Sequence, residues 1–424
     1  MGALRVGLYA WGGPGTIDLL KTKYHRPKID EKSFYTLYTK KYIEHAQEKL
    51  GLTDMWLTYS WGFGDEREQE QYAYIKEVLP TIRDTGVRTY AYIQGFNVVH
   101  NDFKDADFYC RSISGKRIPY SKGRFLICPS HPDTLVHLQK RVAAALALPF
   151  DGIYIDNIIF GLMPFIVGEN FSSTFGCHCT YCAKEFKNRF QYDIPSRAHS
   201  RSELNDLLAF RTHQVTKVVR ELSKMTREKE KVFGVNLFDP VLYTPELYFG
   251  YSFKELQSLL DYYLIENHAI STTLNELENK HIAELVREGK PTFVLSYKYG
   301  IGCEPMFSQE TMNRIYEDAD SLGYSPCVKG SEFTTNGVWH TFDIDAVDTV
   351  NYTNNKRDRT SSRSELVKQS LPNHGLPVRT AWRLVDRFIP TLYTWLYHSR
   401  ILWSLFVWTG LYTYTLRKER RYNL

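Results

Sequence analysis

The sequence opens with few apolar residues: Met1, Gly2, Ala3, Leu4 and Arg5 run directly into a strand-like apolar segment at residues 6–11, and no secretory signal peptide is expected. Without the hydrophobic stretch or cleavage pattern of a signal peptide, a cytoplasmic location is expected. Cysteine is scarce, with seven in 424 residues, odd in number and unevenly spaced. That argues against a disulfide framework and for metal-bound or free thiols. The glycines form no phosphate loop, because the first candidate, Trp11-Gly-Gly-Pro-Gly-Thr16, has neither the dinucleotide nor the P-loop spacing. The uncharged run near the C-terminus, residues 401–416, stops at 16 positions and contains Ser, Thr and Gly. A membrane-spanning helix needs roughly 20 apolar residues. Basic charge is also missing from most of the chain. Residues 351–424 hold 13 Lys and Arg against four Asp and Glu, whereas residues 1–350 hold 40 against 44. The formal net charge of +5 therefore averages a mildly acidic body and a basic tail. This excludes a generally basic nucleic-acid binder, and no nucleic-acid partner is expected. With 43% hydrophobic and 24% charged residues, a disordered chain is excluded as well.

What is present is an alternation of short apolar runs and helix-like stretches. The runs fall at 6–11, 55–61, 87–95, 152–157, 232–238, 262–268, 292–299 and 326–333. Helix-like patterns lie between them at 68–85, 134–148, 202–230, 253–260, 275–289 and 308–322. Strands alternating with helices imply a parallel sheet, and eight such units imply an α/β fold of the closed (β/α)8 (TIM) barrel type. The barrel is expected to occupy residues 1–340. A polar linker follows at 341–377 and an aromatic-rich, basic helical tail at 378–424. Aromatic residues make up 15% of the chain, which suits a large aromatic core, a sugar-binding cleft or a membrane interface.

A barrel of this kind carries its chemistry at the C-terminal ends of the strands. The fourth run reads Phe150-Asp-Gly-Ile-Tyr-Ile-Asp156-Asn157 and the sixth Tyr262-Tyr-Leu-Ile-Glu266-Asn-His268. Each places a carboxylate directly after a buried run, facing the barrel mouth. Two such carboxylates are what glycoside cleavage requires: one acid for the leaving oxygen, one nucleophile or base. The alternative for each is a hydrogen-bonded structural carboxylate. Glu304 and Glu332 are reserve candidates. Substrate hydroxyls are expected to meet Trp11, Trp61, Gln94, Asn97, Asn157, Asn236, His268, Tyr297 and Glu332. His268 reads equally well as a satisfied core histidine. Arg211 reads either as an orienting group for a carboxylate or as an ordinary surface arginine.

The segment Gly176-Cys-His-Cys-Thr-Tyr-Cys182 offers three thiols on one tight loop, and Cys128 on the preceding loop is the natural fourth. Cys128, Cys177, Cys179 and Cys182 would complete a tetrahedral shell with no open position. A structural zinc is therefore expected, with reduced buried thiols as the alternative. Cys110 lies on the same side, and no organic cofactor is implied.

These motifs resemble a known group. Arg124-Phe-Leu-Ile-Cys128-Pro-Ser-His-Pro132 is similar to the segment before strand 4 of glycoside hydrolase family 42 β-galactosidases. The cysteine loop, continuing Ala183-Lys-Glu-Phe186, is similar to the Cys-x-Cys-x-x-Cys signature of that family and its relatives, some of which bind zinc there. The Asp-Gly-x-x-x-Asp pattern of the fourth run looks closer to the hypothetical glycosyl hydrolases of group 6. Phe210-Arg211 and Gly234-Val-Asn236 look like helix 4 and strand 5 elements of the wider superfamily. The resemblance covers residues 5–340. It implies a glycoside hydrolase or transglycosidase acting on a carbohydrate. One departure matters: family 42 ends strand 4 in Asn-Glu, and here the stretch is Asp156-Asn157-Ile158. The arrangement looks more like melibiase-type barrels, which implies Asp156 as nucleophile and Glu266 as acid/base. The missing Asn-Glu keeps open an inactive glycan-binding barrel that scaffolds a membrane-associated assembly.

Residues 388–416 carry nine aromatic residues in 29 positions, with basic residues on both sides. Such a segment suits a helix lying in a membrane interface, and residues 382–421 are expected to meet an anionic membrane surface. The expected location is then peripheral, on the inner membrane face, with a polysaccharide or glycolipid as substrate. The alternatives are a helix pair packed on the barrel, or on a second subunit to make a homo-oligomer, and a short membrane span.

Overall fold

A computed structural model of the chain describes residues 5–24, 26–160, 177–195, 200–238, 246, 249–267, 282–283, 285–296, 319, 322–331 and 333–346. Eight parallel strands close into a barrel: β1 (Gly7–Ala10), β2 (Asp54–Ser60), β3 (Arg88–Gln94), β4 (Gly152–Asp156), β5 (Val232–Phe238), β6 (Tyr263–Asn267), β7 (Thr292–Ser296) and β8 (Ser325–Lys329). Each strand pairs with its neighbours in sequence, and β1 closes the ring by pairing with both β2 and β8. All eight expected strands form. The eighth run is shorter than its hydrophobicity suggests: β8 stops at Lys329, and Phe333 opens a hairpin of Phe333–Thr335 with Val338–His340. That hairpin pairs with Lys28–Ile29 in a small three-stranded sheet.

The helices α1 (Gly13–Lys23), α2 (Glu31–Thr36), α3 (Lys40–Leu50), α4 (Asp65–Arg83), α5 (Pro132–Leu146), α6 (Thr180–Phe190), α7 (Arg201–Arg227) and α8 (Phe253–Leu256) connect the strands. Their ends follow local rules. Thr39 caps α3 by accepting from the Tyr42 amide, and Gly51 ends it in the left-handed region at φ 71°. Asp65, Glu66 and Glu68 fill the first turn of α4, where the helix dipole favours acids. Most of the expected helices 275–289 and 308–322 lies outside the described residues, as does all of 378–424 and all but 341–346 of the expected linker. Among the described residues, no helix is long and apolar enough to cross a membrane.

The barrel interior is aromatic. Tyr9, Trp56, Tyr90, Tyr92, Tyr154, Tyr262 and Phe293 fill it, packed as one cluster separate from the larger core beneath the helices. Strand alternation sends every second side chain inward. Three strands put glycine where rings from neighbouring strands must fit. A Cβ on Gly234 would lie 2.3 Å from the Tyr262 ring, and one on Gly7 would lie 2.7 Å from Trp56. Gly152 makes the same allowance for Tyr90. Large and small residues thus alternate around the barrel to fill it. At the N-terminal end, Asp54 is fully buried and held by Arg5 and by the Tyr90 hydroxyl at 2.8 Å, a structural ion pair far from the mouth.

The loop after β3 builds a second three-stranded sheet from Asn97–Val99, Pro119–Ser121 and Arg124–Leu126. It is fastened to the end of β4 through backbone bonds from Gly95 N to Asp156 O and from Phe96 N to Asn157 O, at 2.7 and 3.0 Å. A Cβ on Gly95 would come within 2.3 Å of the Asp156 carbonyl, so only glycine lets the two loops meet there. This seam fixes the wall of the mouth.

Candidate active site

The inward alternation of β4 runs Gly152, Tyr154, Asp156, and that of β6 runs Tyr262, Leu264, Glu266. Both carboxylates therefore end their strands on the inner face of the barrel at its mouth. Asp156 is 3% exposed and Glu266 5%. Asn157 follows Asp156 at φ 51°, a left-handed conformation that asparagine tolerates better than most residues and that often marks a functional turn.

Asp156 Oδ2 accepts the Tyr92 hydroxyl, and Asn157 Nδ2 donates to the same oxygen at 2.5 Å. Asn157 is oriented in turn by the Tyr120 hydroxyl, which donates to its Oδ1 at 2.7 Å. The Tyr9 hydroxyl lies 3.5 Å from Glu266 Oε1. Tyr9, Tyr92 and Tyr154 form a triangle of rings with centroids 5.7, 5.8 and 6.0 Å apart. Each carboxylate thus meets one phenol, and the rings that carry the two phenols pack against each other. Burial, and after it the charge of Glu266, push the Asp156 carboxyl well above the ordinary carboxylate range. The Tyr92 hydrogen bond and the guanidinium of Arg124 oppose this without reversing it.

Several polar atoms at the mouth are buried and have no hydrogen-bond partner among the described residues. They are Trp11 Nε1, Gln94 Nε2, Asn97 Nδ2, both amide atoms of Asn236, and Ser331 Oγ. The Tyr154 hydroxyl faces Tyr9 and Asn236 without closing a well-aligned bond. Buried polar groups are ordinarily satisfied, so a concentration of exceptions at one end of a barrel fits a surface that awaits a polar ligand or water.

The expected contact residues divide. Gln94, Asn157 and Asn236 share the mouth with Asp156, and Trp11 packs against Tyr9 and Tyr92 with centroids 5.0 and 5.8 Å away. Asn97 is partly committed, since its Oδ1 accepts from Arg124 Nε at 2.7 Å. Trp61 is a wall residue whose indole N–H donates to Thr16 Oγ1 at 3.0 Å. His268, Tyr297, Glu304 and Glu332 lie outside the described residues. Arg211 is buried, and its Nε donates to the Phe160 carbonyl at 2.7 Å, so the surface reading of this arginine does not hold. Tyr9, Tyr92, Arg124 and Lys329 went unnoticed in the sequence. Arg124 is buried, and besides Asn97 it donates to the Trp61 carbonyl at 2.7 Å. Lys329 closes β8 facing inward, its Nζ 5.3 Å from the Trp11 ring centroid. The signal for Tyr92 and Lys329 was the period-2 alternation of their strands.

The cysteines converge as expected. The sulfurs of Cys128, Cys177, Cys179 and Cys182 all lie within 4.8 Å of one another, with Cys128 3.7 Å from Cys179 and 3.3 Å from Cys182. Four thiolates around one zinc at about 2.3 Å would stand about 3.8 Å apart, so the donor set and spacing fit a tetrahedral ion. Backbone amides of Arg111 and Cys179 point to Cys177 Sγ at 3.2 and 3.4 Å, and that of Cys182 to Cys179 Sγ at 3.5 Å. Such donors stabilise thiolate charge. The centre joins the loop after β3 to the start of α6. Four cysteine sulfurs leave no ligand position for substrate.

No protein-family model matches the chain, and no curated protein matches it. Solved structures do. The catalytic domain of β-amylase from Paenibacillus polymyxa superposes with a TM-score of 0.51 at 10% identity, covering 87% of this chain and 97% of that one. β-Galactosidases from the haloarchaeon Halorubrum lacusprofundi and from Rahnella sp. R3 superpose with a TM-score of 0.54 each, at 12% and 14% identity. Each covers 91% of this chain, which spans only 62% and 57% of theirs. At these identities the likeness shows the shared (β/α)8 fold.

Proposed function

We propose that this chain is a glycoside hydrolase or transglycosidase whose catalytic pair is Asp156 and Glu266. The observation that carries the reading is the pair of buried carboxylates on the inner ends of β4 and β6, with the Tyr92 hydroxyl bonded to Asp156 and the Tyr9 hydroxyl 3.5 Å from Glu266. The fold shared with a β-amylase and β-galactosidases agrees with it. A barrel mouth lined with unsatisfied amide and indole groups suits a polyhydroxylated ligand.

The roles follow from charge. The resemblance gave Asp156 the nucleophile's part. Its burial beside Glu266 instead favours the protonated form, which is the state a general acid needs. Asp156 is therefore assigned the proton donor to the leaving oxygen, and Glu266 the nucleophile or base. With both donors on Oδ2, the other oxygen of Asp156 is the one left to carry the proton. The cysteine centre holds a structural zinc that stiffens the wall beside β4, and the basic aromatic tail brings the barrel to an anionic membrane surface.

The test uses aryl glycosides of graded leaving group. Asp156→Asn should lose activity by about a thousandfold on poor leaving groups and much less on a dinitrophenyl glycoside, which needs no acid. Glu266→Gln should lose it on both. Retention of full hydrolysis by Asp156→Asn on a poor leaving group would sink the assignment. Sugar binding without turnover in the unaltered protein would favour the binding-barrel reading.

A further inference from the structure

The proposed chemistry gives no part to the strand between the two carboxylates. β5 runs between β4 and β6, and Asn236 lies on its inner face, two residues beyond the Gly234 that faces the Tyr262 ring. On one side it stands one position past the Ile155–Val235 pair, level with Asp156. On the other it pairs with Leu264, two residues short of Glu266. Asn236 is fully buried, yet neither its Nδ2 nor its Oδ1 has a hydrogen-bond partner among the described residues. The Tyr154 hydroxyl that faces it is buried too and closes no well-aligned bond. Unpaired buried donors and acceptors destabilise a fold, so an asparagine that served the fold alone would close these bonds.

The cleavage reaction fixes what lies in front of this amide. The acid must reach the leaving oxygen and the second carboxylate the anomeric carbon, so the anomeric centre sits between β4 and β6, facing β5. Two ring atoms adjoin the anomeric carbon: the ring oxygen and the carbon that bears the 2-substituent. The ring oxygen only accepts, and would leave Asn236 Oδ1 unanswered. A 2-hydroxyl both accepts and donates, so it answers Nδ2 and Oδ1 together. A hydrogen there answers neither. With Asn236 and Tyr154 both 0% exposed, the space beside them suits a hydroxyl and not a bulky acetamido group.

Resting on the glycoside hydrolase reading, we propose that Asn236, backed by Tyr154, holds the 2-hydroxyl of the sugar whose bond is cleaved and sets specificity at that carbon. The substrate class is then a glycan with a free 2-hydroxyl at the cleaved residue, and 2-acetamido sugars are rejected. Hydrogen bonds to this hydroxyl strengthen as charge develops at the anomeric carbon, so the effect falls on kcat more than on KM.

The test changes substrate and protein together, on the full-length chain. The probes are dinitrophenyl glycosides of glucose, galactose and mannose in both anomers, with their 2-deoxy and 2-acetamido counterparts. Each rate is divided by that of spontaneous hydrolysis, because 2-deoxy glycosides are intrinsically more labile. At least one 2-hydroxy glycoside should exceed its 2-deoxy counterpart in corrected kcat by about a hundredfold, and its 2-acetamido counterpart should not be cleaved. Asn236→Ala should lower kcat on the 2-hydroxy glycoside about a hundredfold and on the 2-deoxy one far less, so that the preference collapses. The substrate comparison needs only the unaltered protein, and decides the matter even if the variant does not fold. The inference is overturned if the corrected rates do not depend on the 2-substituent, or if a folded Asn236→Ala slows both glycosides alike. Cleavage without such a preference would retain the hydrolase reading and end this one. If no glycoside is cleaved, calorimetry with the methyl glycosides separates the two. Asn236-dependent preference for the 2-hydroxy sugar would end the hydrolase reading and keep this contact, and equal or absent binding would end both.

Discussion

The hydroxyl of Tyr92 donates to Oδ2 of Asp156 inside the barrel, with both side chains buried. The two residues occupy adjacent strands, with Asp156 paired in register to Gln94, two positions beyond Tyr92. This bond stabilises the charged carboxylate and so works against the burial and the Glu266 charge that favour the protonated one. The balance between them sets when Asp156 holds its proton.

Tyr92→Phe should therefore move a limb of the pH–rate profile. A hydrogen bond to a charged group contributes about 1.5–3 kcal/mol, which corresponds to about one to two pH units. Removing it raises the Asp156 pKa further. If Asp156 is the general acid, activity falls as pH rises through its pKa, so the alkaline limb of kcat moves to higher pH by that amount. A nucleophilic Asp156 would move the acidic limb instead. The kcat–pH profile of the variant thus reads the role directly.

The cysteine centre yields a prediction of composition. Elemental analysis of protein prepared without chelator should find about one zinc per chain. Cys182→Ser removes one of the four converging sulfurs and should reduce that to below about a tenth, with a fall in melting temperature. Cys110→Ser is the control. Cys110 is buried beside Cys128 and Cys177 but lies outside the group of four, so its loss should leave the metal in place.

The fold was legible because each strand is a short run of apolar and β-branched or aromatic residues bounded by turns, and because eight such runs alternate with helices. Asp156 and Glu266 were legible for a local reason: each ends such a run. Their partners were not. That Tyr92 reaches Asp156, or that Lys329 lies over Trp11, depends on how adjacent strands register and on which face of each strand turns inward. Trp61 and Asn97 show the converse. They sit at strand ends, as the reading required, but Thr16 takes the Trp61 indole N–H and Arg124 the Asn97 side-chain oxygen, and both claimants come from distant segments. The surface alternative for Arg211 fails for the same reason, because its Nε donates to a carbonyl 51 residues earlier in the chain.

The basic tail predicts a localisation that can be separated from catalysis. Full-length protein should cosediment with vesicles containing an anionic phospholipid, and a version ending at residue 377 should not. Residues 378–424 hold eight Lys and Arg against two Asp and Glu, and each basic residue near such a surface contributes about 1 kcal/mol. The difference should shrink as salt is raised. Equal binding by both forms would show that the tail serves a protein contact instead.

A last prediction concerns Glu68, which shows how burial couples the barrel to pH outside the pair of Asp156 and Glu266. Its carboxyl is fully buried behind β2, where Oε1 accepts from Ser60 Oγ at 2.7 Å and from the Phe63 amide at 3.0 Å. Oε2 has no partner among the described residues. Burial outweighs these donors and the nearby Arg141, and pushes the group up from 4.5 to about 7. The folded state therefore holds this proton more tightly than the unfolded one. Its contribution to stability is complete below about pH 4.5 and is lost as pH rises to about 7, by up to about 3 kcal/mol. His137, which contacts Arg141 at 3.1 Å, works in the opposite sense. Burial and Arg141 hold it down to about 3, so its contribution grows as pH rises towards 6.5. The two partly cancel in the unaltered protein, and a single stability curve would hide both. Glu68→Gln removes only the first. Urea unfolding at pH 5 and pH 7.5 should show the variant gaining on the parent protein as pH rises, and a gap that stays constant between the two pH values would rule out a proton held by Glu68.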